Sequence, residues 1–188
     1  MAETFNGAEC VHGHGTLRYA KNRHCVGCST IRMQQKRENS PRAVESRRVA
    51  ECIKNATELE RAYFAGFFDG EGSVGIKRTS KKRKVHGPYV TVSQVRPDVL
   101  TKFRSIFGGS LSFRSRAAKN GIWCWQASGA AHCLLVLESL IPYMIVKKAE
   151  SQAVVDTFQF KVHSRKAGLP ENVVSFREEM MERIKAMR

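Results

Sequence analysis

Two carboxylates, Asp69 and Glu71, stand one glycine apart at the end of an apolar stretch rich in small residues, Phe64-Ala65-Gly66-Phe67-Phe68-Asp69-Gly70-Glu71-Gly72-Ser73. The stretch reads as a helix running directly into a strand. Acids at a helix C-terminus face the negative end of the macrodipole, a repulsion worth a few tenths of a kcal/mol or more per charge. A divalent cation relieves it, so the residue types point to a metal site. A second cluster lies near the N-terminus. Cys10-x3-His14 and Cys25-x2-Cys28 offer four ligands in two short pairs, with His12 an alternative to His14. That donor set suits tetrahedral zinc, and four protein ligands make it structural rather than catalytic. So short a segment has little apolar surface of its own, so the metal would supply its stability.

The charge identifies the partner class. The 188 residues carry 32 Lys and Arg against 17 Asp and Glu, a formal net charge of +15. Nucleic acid is the expected partner, because each basic residue placed on a phosphate releases condensed counterions. No apolar run is long enough for a membrane span. The N-terminus, Met-Ala-Glu-Thr-Phe-Asn-Gly, has neither a basic nor an apolar region of the kind that directs export. Six cysteines in such a chain read as ligands and buried thiols in a reducing intracellular compartment: a bacterial or phage-infected cytoplasm, or an organelle.

The elements that must position these residues divide the chain into four parts. Residues 1–29 form the zinc-binding module, on which Arg18, Lys21, Arg23 and His24 would make a basic, DNA-facing surface. Residues 30–57 are a basic linker or solvated helix interrupted by Pro41, residues 58–163 the core, and residues 164–188 a helical extension after Gly168-Leu169-Pro170. Thr57 with Glu60 three residues on marks a helix start. Strands follow over Ser73–Lys84, with the basic loop Lys81–Lys84 at the end, and over Pro88–Val95. Pro97 opens a helix that Gly108-Gly109 closes. Ser110–Arg116 and Ile122–Ala127 read as a hairpin turning at Lys119-Asn120-Gly121, and helices follow over Ala130–Leu140 and Lys147–His163. Paired hairpins with helices between them make an antiparallel sheet covered by helices on one face, an α+β fold. Period two places Val74, Ile76, Val90, Val92, Leu111, Phe113 and the two tryptophans toward the core. It leaves Lys77, Thr79, Tyr89, Thr91, Ser93, Ser112, Arg114 and Arg116 outward, the residue types that base edges and phosphates accept.

The segment from Phe64 to Ser73 resembles the motif of the LAGLIDADG homing endonucleases, and the order of elements over roughly residues 58–163 agrees with it. The resemblance implies an αββαββα core with a four-stranded antiparallel saddle sheet. It also implies a site-specific, Mg²⁺-dependent double-strand DNA endonuclease of the kind that introns and phage or other mobile elements encode. A single motif copy implies a homodimer whose two motif helices pack together, with Ala65, Gly66 and Asp69 at the interface. By the same resemblance Glu71 is the metal ligand, where the family usually has Asp, and Asp69 braces the helix end. Lys147, with Lys148 one register away, is similar to the basic residue that approaches the scissile phosphate, and Gln94 to a glutamine that orients solvent. The Cys/His module resembles zinc ribbons on mobile-element nucleases. The alternative on this scaffold is a non-cleaving binder, either a maturase for a group I intron, with intron RNA as a partner, or a transcription regulator.

Overall fold

The computed structural model describes residues 2–80, 85–116, 119–159 and 169–187. The basic loop at 81–84 and the expected helix end at 160–163 lie outside the described residues, as do the side chains of Thr79 and Arg116. The chain divides into two compact units, residues 1–48 and 49–188, with the division inside a helix.

In the first unit a short antiparallel pair, β1 (Thr4–Asn6) and β2 (Leu17–Tyr19), leads to α1 (Val26–Glu38), and the unit ends within α2 (Pro41–Asn55). Pro41 starts that helix rather than interrupting one. Its missing N–H falls on a turn that has no intrahelical acceptor anyway. No residue of α1 is buried, and beyond its half-buried first turn the helix is exposed.

The second unit contains the core: α3 (Glu58–Glu71), β3 (Gly72–Ser80), β4 (Val85–Gln94), α4 (Pro97–Phe107), β5 (Ser110–Arg116), β6 (Lys119–Gln126), α5 (Ala130–Leu140), a 3₁₀ turn at Ile141–Tyr143, α6 (Lys148–Phe158) and α7 (Glu171–Ala186). The capping box forms as expected: the Glu60 N–H donates to Thr57 Oγ1, and the Thr57 N–H to Glu60 Oε2. The four-stranded antiparallel sheet runs in the order β3-β4-β6-β5. Its register, Val74 opposite Val90 and Val92 opposite Trp125, puts those four side chains on one face, where all are buried. Helices α3 to α7 pack on this face. Phe64, Phe103, Phe107 and Trp125 meet edge-on or tilted at its centre, with centroids 4.5–5.8 Å apart. The Trp125 indole N–H is satisfied by the Gly108 carbonyl at 2.6 Å, as a buried donor requires.

Two expectations need correcting. The β5–β6 hairpin does not turn at Lys119-Asn120-Gly121. Strand β6 already begins at Lys119, paired with Arg116, so these three residues belong to the strand. Gly121 instead accommodates a ring: a Cβ there would come within 2.1 Å of Phe113 Cζ. Phe113 has the inward parity expected of it and stacks on Trp123 at 5.2 Å, yet remains 55% exposed. It sits on an edge strand, so facing inward does not amount to burial.

Candidate metal centre and nucleic-acid face

Helix α3 delivers Glu71 as its last residue, exposed, and the chain leaves at once as β3. Gly72 makes that exit possible. Its N–H closes the helix on the Phe68 carbonyl, while a Cβ at 72 would lie 2.4 Å from the Phe68 ring and 2.5 Å from the Phe68 carbonyl oxygen. Only glycine allows so abrupt a change from helix to strand.

Asp69 faces the other way. Its Oδ2 accepts the N–H groups of Ile145 (2.6 Å) and Val146 (3.1 Å), and its Oδ1 accepts that of Lys147 (2.9 Å). Burial pushes the Asp69 carboxyl pKa up, but the three N–H donors and the Lys147 charge outweigh it and hold it below the usual carboxylate range. The Lys147 ammonium donates to the Asp69 backbone carbonyl, placing a cation on the negative end of α3. Asp69 and Lys147 are thus brought together and committed to each other, and Glu71 alone presents its carboxylate outward. Gln94 ends β4 two residues beyond Val92, whose partner is Gly72, so it lies at the end of the sheet where α3 enters. Its side-chain oxygen accepts the Val95 N–H at 2.8 Å. Lys148 opens α6 and is exposed.

The open side of α3 carries a stripe that residue-by-residue reading missed: Leu59, Tyr63, Gly66 and Gly70, spaced as one helix face. Leu59 is 80% and Tyr63 57% exposed, and nothing lies within 4 Å of a Cβ built at Gly66 or Gly70. Ile145 (87% exposed) and Val146 also stand free. The spacing 59-63-66-70 was the signal available in the sequence. Ala65, expected at the interface with Gly66, is instead fully buried in this chain's own core, because it falls one helix position round, on the side facing Phe64 and Phe68.

On the uncovered face of the sheet the register aligns Ser73, Thr91, Gln126 and Ser110 in one row, and Ser93, Cys124 and Ser112 in the next. Lys77, Ser112 and Arg114 are exposed, and Tyr89, Thr91 and Ser93 half-buried. The Lys77 ammonium lies 5.8 Å from the Tyr89 ring centroid. Cys124 is the buried exception in the second row.

No protein-family model matches the sequence, and no curated protein sequence matches it. Solved structures do. The homing endonuclease I-CvuI, in complex with its target in the presence of calcium, is 21% identical over 69% of this chain and 82% of its own, with a TM-score of 0.54. An archaeal intron-encoded homing endonuclease, I-Vdi141I, complexed with DNA, is 16% identical over 70% of this chain and 85% of its own, with a TM-score of 0.53. This chain has the LAGLIDADG homing-endonuclease fold. Helix α3 carries the segment that resembles the LAGLIDADG motif, and its acidic end and the uncovered sheet face lie in one unit.

The N-terminal unit holds a cluster of its own. Ligand atoms of Cys10, His14, Cys25 and Cys28 lie within 4.8 Å of one another, so the four can hold a metal ion. His14 Nδ1 is 3.2 Å from Cys28 Sγ and 3.7 Å from Cys10 Sγ, and the two sulfurs are 3.4 Å apart. Tetrahedral zinc with bonds of about 2.0–2.3 Å requires donor separations of roughly 3.3–3.8 Å, so the donor set fits. His12 Nδ1 is the more distant imidazole, 3.5 Å from Cys28 Sγ and 3.9 Å from Cys10 Sγ. Gly27, between the cysteines of the Cys-x2-Cys pair, lets His14 approach: a Cβ there would lie 2.7 Å from His14 Cβ. The His12 backbone N–H pulls the Cys10 thiol down to about 5, while hydrogen bonding to Cys10 raises Cys28 to about 11. Metal binding would hold both sulfurs as thiolates.

Proposed function

We propose that this protein is a site-specific, divalent-metal-dependent double-strand DNA endonuclease that works inside cells as a homodimer. The observation that carries the reading is the exposed Glu71 carboxylate at the end of a motif helix whose neighbouring face is open along Leu59, Tyr63, Gly66 and Gly70. Two copies of α3 packed along that face bring two Glu71 carboxylates together at two negative dipole ends, an arrangement that repels strongly until cations intervene. Glu71 from each copy would hold Mg²⁺, which would supply an acidified water and neutralise charge on the phosphate.

The chain's other residues orient and select. Lys147, fixed by Asp69, places its charge where a scissile phosphate approaches the helix end, and Gln94 orients solvent there. Lys77, Thr79, Tyr89, Thr91, Ser93, Ser112, Arg114 and Arg116 take the duplex on the uncovered face. I-CvuI and I-Vdi141I, which share the fold, were both solved on DNA, and this supports assigning that face to DNA. Zinc held by Cys10, His14, Cys25 and Cys28 is structural.

Selection from a randomised duplex library in Mg²⁺ tests the proposal. Staggered double-strand breaks at one sequence are expected, and Glu71→Gln is expected to abolish cleavage with affinity retained. Binding without any break identifies a non-cleaving regulator or maturase and removes the endonuclease reading.

A further inference from the structure

One cavity beside the Cys/His cluster collects arginines that the core's chemistry does not use. About 440 Å³ in volume, it is lined by Arg18, Arg23, His24 and Arg32 together with the cluster cysteines, and by no carboxylate. Arg18 is committed to the fold, donating from Nε to the Ala8 carbonyl and from Nη1 to the Arg23 carbonyl, each at 3.0 Å. Arg23 and Arg32 are exposed, and among the described residues neither guanidinium is within ion-pair distance of a carboxylate.

Arg23 occupies an unusual backbone position. Among the described residues it is the one non-glycine with positive φ, at 56°, a conformation in which glycine or asparagine is less strained. The turn is pinned there by Arg23 N–H to the Tyr19 carbonyl (2.8 Å), His24 N–H to Asn22 Oδ1 (3.1 Å) and Tyr19 N–H to the His24 carbonyl (3.0 Å). A strained turn that carries a long cation with no carboxylate partner among the described residues points to a ligand outside the protein. Zinc on three thiolates and one imidazole has a net charge of −1, so the three arginines leave the cleft positive.

From this convergence we infer that the Arg23–Arg32 cleft binds a backbone phosphate of duplex DNA. The N-terminal unit is thereby a second, sequence-independent DNA anchor. The inference rests on the DNA reading of the core and assigns the flanking contact to two named guanidiniums, which suit phosphate oxygens through bidentate geometry.

The test uses the full chain loaded with zinc and a long mixed-sequence duplex, with affinity followed across a salt series. Each lost phosphate contact lowers the slope of log K against log [salt] by about 0.9, so Arg23→Gln with Arg32→Gln, which gives up the one phosphate of the cleft, should lower it by about 0.9 and weaken binding by about 8-fold near 0.1 M salt. Arg183→Gln with Lys185→Gln on α7 removes the same charge and should barely change the slope. Arg23→Gly should weaken binding while the melting temperature holds or rises. Arg23→Lys with Arg32→Lys should keep the slope near wild type. An unchanged slope in the glutamine pair overturns the inference, and so does an equal loss in the lysine pair. Cleavage assayed at saturating protein separates the two readings. Specific cleavage with an unchanged slope leaves the endonuclease standing without this anchor; a lowered slope without cleavage leaves the anchor standing alone.

Discussion

Replacing Asp69 by asparagine tests how the acidic helix end is held. The shape is preserved, and the amide oxygen can still accept from the donors that Oδ2 now serves. The amide NH₂, however, would oppose the Lys147 N–H in place of Oδ1. One hydrogen bond to a charged acceptor, worth about 1.5–3 kcal/mol, is lost and the others weaken. Removing a carboxylate from a helix C-terminus returns about 0.3–1 kcal/mol. The net loss is about 1–2 kcal/mol, or roughly 3–6 °C in Tm for a chain of this size. The pH dependence provides a second readout. Asp69 titrates below its unfolded value, so its contribution is complete above about pH 4 and is lost as pH falls through the lower folded pKa. Urea denaturation of wild type and Asp69→Asn at pH 7 and again at pH 3 should show a gap that narrows on acidification. Equal stabilities at pH 7, or a gap independent of pH, would refute the assignment of Asp69 as the brace.

Other perturbations reach other parts of the structure. A Cβ added at Gly66 has nothing within 4 Å, so with Gly66→Leu monomer stability should hold or rise by up to about 1 kcal/mol, while sedimentation should show loss of the two-chain particle proposed above. Gly27→Ala forces His14 aside, and competition with a chelator should show zinc affinity falling at least tenfold, in line with the sensitivity of ligand placement. Burial, with Arg78 and Arg177 adding to it, lowers the pKa of His86, and Glu178 only partly opposes them. The ring is then neutral when folded and protonated once unfolded, so stability should fall as pH drops below about 6.5. His86→Met should flatten that dependence in a thermal-shift series.

Much of the core was legible because it follows local rules. The Thr57–Glu60 box, Pro97 at a helix start and the alternation of Val74, Ile76, Val90 and Val92 each specify an element or a face, and the structure contains them. What remained hidden depends on distant residues. Period two gave Phe113 its facing, but whether anything covers it depends on where the helices end. The composition of α3 placed Ala65 and Gly66 together on an open face, yet one helix position separates a core residue from a free one. The N-terminal strands β1 and β2 are three residues each, too short to show alternation. The arginine cleft comes from a turn at residues 19–24 and a helix carrying Arg32, which no spacing rule links. At the acidic end, the residue types pointed to Glu71, and only the fold revealed that backbone groups at 145–147 occupy Asp69.

The tie between Asp69 and residues 145–147 spans 76 to 78 positions of chain, so it closes only after both hairpins and α5 have emerged from the ribosome and docked. Until it closes, the acidic end of α3 lacks the three N–H donors that hold Asp69. On the reading proposed above, the site at that helix end is therefore completed late, only once the whole core has been made.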